Sequence, residues 1–148
     1  MDWEQARNIW ERDGSLRDLC VLDTTLADWD NLLCFLRESH FQLSYSIDGR
    51  PSTLPVRASD TFRENGSRLL VCRVGRITLN CHFFCPEEIE FDLDPLEIDG
   101  QAELTRLVQF MSEMGCRLKK EVLLTGENCP DQVLCSYDPE VGRIQFNP

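Results

Sequence analysis

The sequence predicts an α+β fold: a single domain over residues 1–148 with a largely antiparallel, twisted sheet, two main helices packed on one face and a short N-terminal helix. Three observations lead there. Leu70, Cys72 and Val74 lead through Gly75 into Ile77, Leu79, Cys81 and Phe83, the pattern of a hairpin. Two longer stretches, after Thr25 and after Gly100, repeat apolar residues at helical spacing. With 148 residues, 42% of them hydrophobic and 28% charged, the chain can bury a core of its own without cross-links.

Along the chain, Trp3, Ala6, Ile9 and Trp10 recur at helical spacing until Asp13-Gly14, giving the short first helix. The apolar run Leu19-Cys20-Val21-Leu22 fits a strand buried on both faces. Thr25 and Asp28 form a capping box, followed by the stripe Leu26, Trp29, Leu32, Leu33 and Leu36. Phe41, Leu43, Tyr45 and Ile47 alternate into the turn signal Asp48-Gly49. Residues 49–66 contain two prolines and several turn formers, and are expected to be a long loop with a short edge strand at Leu54 to Val56.

After the hairpin, Ile89, Phe91 and Leu93 alternate with carboxylates. Leu104, Leu107, Val108 and Met111 mark the face of the last helix, for which Gly115 is the expected C-terminal cap. Three more strands are expected at Val122 to Leu124, Val133 to Tyr137 and Ile144 to Phe146. A strand, a helix ending in FLRES or FMSEM and a second strand occur in both halves, a faint internal echo.

Net charge is −11, so the average surface repels nucleic acid and anionic membranes, and neither is expected as a direct partner. The charge is uneven. Arg50, Arg57, Arg63, Arg68, Arg73 and Arg76 meet only Asp60 and Glu64 in their segment, whereas residues 86–100 hold seven acidic residues and no Lys or Arg. The acidic, amphipathic N-terminus has none of the marks of a secretory signal, and the eight cysteines are scattered. The expectation is a cytoplasmic protein with reduced thiols.

LNCHFFCPEEIE, residues 79–90, carries two cysteines and a histidine. On a strand Cys81 and Cys85 stand about 13 Å apart, too far to share a zinc ion. Cys81 falls in phase with the core set Ile77, Leu79 and Phe83, and His82 points to the other face, so the two cannot pair as nucleophile and base. Neither a metal nor a cofactor is expected. Phosphate loops, zinc-protease helices and nucleophile elbows are absent from the sequence.

Size and charge favour binding over catalysis: a small acidic interaction protein, of toxin-neutralising or regulatory type, that takes a basic protein partner. Glu88, Glu90, Asp92 and Asp94 are spaced by two, and on a strand they share the outward face, the candidate partner-binding surface. The rival reading is a small-molecule binder or enzyme that grips an anionic ligand with Arg50, Arg57 and Arg63 of loop 49–66. A third is a homo-oligomer meeting through Trp3, Trp10 or that loop.

Overall fold

The computed structural model describes residues 1–147. Helix α1 (Trp3–Ala6) starts at Asp2, whose carboxylate accepts the Glu4 amide at 2.9 Å, and it continues into a 3₁₀ turn, Arg7–Trp10. The chain then enters β1 (Arg17–Leu22), which begins two residues before its apolar run. Arg17 is 5% exposed, yet its guanidinium is satisfied: it donates to the Ile9 carbonyl at 2.8 Å, to the Leu16 carbonyl at 3.0 Å and to Ser15 Oγ at 2.6 Å. A buried cation with that many acceptors fastens the N-terminal segment to the sheet.

Helix α2 (Leu26–Glu38) has the expected capping box between Thr25 and Asp28. It is followed by β2 (Gln42–Ile47) and the two-residue β3 (Arg50–Pro51). The region expected as a long loop holds helix α3 (Ala58–Arg63), and no strand forms at residues 54–56. Two side chains of α2 explain the difference, since Arg37 donates to the Leu54 and Pro55 carbonyls and Asp30 accepts the Ala58 amide at 2.7 Å. They consume the backbone groups a strand would use and start a helix instead.

Next come β4 (Arg68–Val74), β5 (Ile77–Cys85), β6 (Glu88–Leu93), the 3₁₀ turn Pro95–Glu97 and α4 (Gln101–Leu118). β7 (Val122–Gly126), β8 (Cys129–Asp138) and β9 (Arg143–Phe146) complete the chain. One nine-stranded sheet results, in the order β3-β2-β4-β5-β6-β1-β7-β8-β9, with every neighbouring pair antiparallel. It follows that β1 and β2 point the same way, as do β6 and β7. Helices α2 and α4 are therefore crossover connections, one spanning three strands and the other spanning β1 alone. The echo between the halves stops there: after α2 the meander runs inward to the middle of the sheet, whereas after α4 it runs outward to the edge.

One face of the sheet packs on the helices. Leu19, Val21, Leu70, Leu79, Cys81, Ile89, Phe91, Val122 and Leu124 are fully buried with Trp29, Leu32, Leu33 and Leu36 of α2 and Leu104, Leu107 and Phe110 of α4, in one core. Trp29 joins several elements. Its ring lies 5.2 Å from Phe62 and 5.0 Å from Phe83, and its Nε1 donates to the Pro86 carbonyl at 3.0 Å.

β1 is buried on both faces as far as Val21, and Leu22 at its end is 42% exposed. One expectation needs correction. Gly115 does not cap α4, which runs on to Leu118 and closes at Lys119 in the left-handed conformation. Gly115 lies inside the helix, where a Cβ would stand 2.7 Å from Cδ1 of Tyr137, so its lack of a side chain lets α4 approach β8. None of the helices among the described residues is long and apolar enough to cross a membrane.

Leu33→Ala and Leu107→Ala are each expected to cost about 2–5 kcal/mol, read from denaturant unfolding. Gly115→Ala should cost about 1–3 kcal/mol by overpacking, which no C-terminal cap position would show. A neutral result at Gly115 would mean that α4 can move away from Tyr137.

Candidate functional site

Because the core faces one way, the alternate residues of the middle strands form a second face that no helix covers. Cross-strand register sets its pattern. Asn80, Asp92, Asp18 and Thr125 stand in one row across β5, β6, β1 and β7, and His82, Glu90, Cys20 and Leu123 in the next. Glu88 stands opposite Leu22 beyond them. Three of the four expected carboxylates, Glu88, Glu90 and Asp92, do share this face, but they sit half-buried on an interior strand, not on an exposed edge. Asp94 lies past the end of β6 and caps the 3₁₀ turn, accepting the Leu96 amide at 2.8 Å.

Asp18 takes its place in the cluster, and nothing in the local pattern singles it out. It precedes the apolar run of β1, whose edge hides its phase. Asp18 is 7% exposed and stands directly opposite Asp92, an arrangement that costs about 0.2–1 kcal/mol for like charges. The two are held differently. Asp92 accepts from Asn80 Nδ2 at 2.8 Å and contacts His82 Nε2 at 2.6 Å, while Asp18 accepts the Asn128 amide of the β7–β8 turn at 2.8 Å. Among the described residues Asp18, Glu88 and Glu90 form no ion pair.

Burial raises the Asp18 carboxyl above the ordinary carboxylate range, with Asp92, Glu127 and Glu88 adding to it and the Asn128 amide opposing. Burial also raises Glu90, and the charges of Asp18 and Glu88 add to that. Between these carboxylates the Cys20 thiol is pushed up to about 12, first by burial and then by Glu88 and Glu90. It is therefore a protonated, unreactive thiol at neutral pH.

Asp18, Cys20, Leu22, Glu88, Glu90, Thr125, Asn128 and Pro130 line a hollow of about 260 Å³. Donor atoms of Cys20, Glu88 and Glu90 come within 4.8 Å of one another, so these three could approach a common cation. Such a cation would first have to displace a thiol proton that burial and two neighbouring charges retain. Beside the hollow, on β5, Phe84 is 69% exposed, with its ring stacked on His82 at 5.0 Å and 10°. Cys81 lies in the core and His82 on the uncovered face, as strand phase required.

Arg50, Arg57 and Arg63 are all exposed, on β3, at the N-cap of α3 and at its last residue. Of the three, Arg50 alone lines the hollow at the β2–β3 turn, beside Asp48. Comparison with protein families, curated proteins and solved structures finds no match for the chain.

The raised carboxyls have a pH signature. A carboxyl whose pKa is higher in the folded chain binds more protons there than in the unfolded one, so stability increases as pH falls through the raised value and levels off below about 4. Asp18→Asn with Glu90→Gln is expected to remove that part of the gain. Comparing unfolding midpoints of the wild type and the double variant at pH 7 and pH 5 measures it; parallel changes in both would place the two carboxyls in water.

Proposed function

We propose that the chain is a non-enzymatic binding protein that presents the uncovered face of its sheet to a basic protein surface. The observation that carries this reading is the set of half-buried carboxylates at the middle of that face, three of them without a cationic partner among the described residues. Surface charges in such a setting are screened less than free ones, and a complementary positive surface relieves their mutual repulsion. The face also offers apolar contact at either side of the cluster, through Leu22 and Phe84. A second copy of the chain fits poorly, because it would bring the same carboxylates against themselves. A toxin-neutralising or regulatory role in the cytoplasm is compatible with this chemistry.

Binding should be linked to protons. A cation placed beside Asp18 and Glu90 favours their ionised forms, so complex formation releases protons and affinity falls as pH drops toward the raised carboxyl values. Titration of the isotope-labelled chain with a nine-residue arginine peptide tests the surface. Amide shifts are expected at Asp18, Cys20, His82, Glu88 and Glu90, weakening with salt over the range where the Debye length shrinks to about 8 Å. The triple change Asp18→Asn, Glu88→Gln and Glu90→Gln should lower affinity at least about tenfold while leaving the fold intact. Shifts confined to other acidic positions, or equal affinity for the triple variant, would remove the uncovered face from consideration.

A further inference from the structure

On the helix-bearing side, well away from the carboxylate cluster, lies a half-open cavity of about 330 Å³. The link from α2 to β2 supplies His40 and Phe41, the β4–β5 turn supplies Val74 and Gly75, and α4 supplies Arg106, Gln109, Phe110 and Glu113. Its volume is near the lower end for small-molecule sites, roughly 300–1,000 Å³. We propose that this cavity binds a small aromatic monoanion, its ring against Phe41, which Phe110 backs, and its carboxylate on Arg106.

The apolar part is firm. Phe110 is 1% exposed and packs at 5.7 Å against Phe41 and at 5.7 Å against Phe91 of the core. Phe41 is only partly buried and presents the remainder of its ring to the cavity. Aromatic faces and edges arranged in this way favour another flat ring.

The polar part is the Arg106 guanidinium, half-exposed and with unused donors. Arg106 lies over Gly75 so closely that a Cβ there would stand 2.9 Å from Nη1 and 3.0 Å from Cδ. Gly75 also has φ +64°, so the turn itself favours glycine. Among the described residues Arg106 makes no hydrogen bond, and its ion pair with Glu103 is long, at 3.6 Å. A planar fork of free donors beside an aromatic floor suits a carboxylate. Two of the other polar groups are committed, since Ser39 Oγ donates to the Phe35 carbonyl at 2.7 Å and Gln109 Nε2 donates to Glu113 at 2.8 Å, while His40 is exposed at the rim. With Glu103 and Glu113 close by, the cavity has no net positive charge, so a monoanion is held by the directed donors of Arg106 and a dianion is repelled more strongly.

Phenylacetate is the probe, with phenylacetamide as its uncharged isostere and phenyl phosphate as the dianion. Titrated into the labelled chain, phenylacetate is expected to give saturable shifts at the amides of Phe41, Val74, Gly75 and Phe110, with a Kd of about 1 mM for so few atoms. The amide and the phosphate should each bind at least about tenfold more weakly. Arg106→Gln, at a half-exposed position, should abolish the preference for the acid, and Arg106→Lys should restore it in part. Phe41→Leu should weaken acid and amide alike and preserve their ratio. No saturation by about 10 mM, shifts spread over the surface, equal binding of acid and amide, or an unchanged preference in Arg106→Gln would each overturn the assignment.

Discussion

Both crossover helices lie on the same face of one sheet, and the remaining architecture follows from that constraint. A sheet of nine strands has two faces to satisfy, and α2 and α4, with α3 and the N-terminal helix beside them, cover only one. On the covered face apolar side chains occupy alternate positions of β1, β4, β5, β6 and β7, except where the buried Arg17 and Arg68 begin β1 and β4. On the other, alternate positions were free to be polar, and the middle strands used them for acid. Trp29 holds the covered side together, because its indole donates to the β5–β6 turn while its ring packs between α3 and β5.

Much of this was legible in the sequence, since period-two and period-3.6 patterns report which side of an element meets apolar surroundings. Leu70 to Phe83, the Thr25–Asp28 capping box and the phase of Ile89, Phe91 and Leu93 all lie where periodicity put them. Misreadings arose where a distant residue decided the local outcome. Arg37 and Asp30 of α2 determine that residues 58–63 coil into a helix. Tyr137, more than twenty residues further on, is the reason for glycine at 115. No window around those positions contains the cause.

The same distinction applies to the acidic surface. Strand phase put Glu88, Glu90 and Asp92 together on one side, but neither their interior position in the sheet nor the addition of Asp18 could be read locally, because both depend on β1 pairing with β6 across seventy residues. Interior placement changes the physics. On an edge strand these carboxylates would be solvated gatekeepers; between β5 and β1 they are partly desolvated, and Asp18 and Glu90 hold their protons more tightly than free side chains do.

The position of β1 bears on how the chain acquires its structure. It is the first strand in sequence, yet its two neighbours are β6 and β7, so Leu19 pairs with Phe91 on one side and Leu124 on the other. During synthesis β1 emerges long before either partner exists, while β2, β4 and β5 can already form a meander among themselves. Central pairings that close such long loops belong to slow-folding topologies. An apolar strand waiting at the middle of an unfinished sheet leaves two unpaired edges exposed in the nascent chain. One can close once residue 93 has left the ribosome, but the other stays open to chaperones or to aggregation until residue 126 has followed.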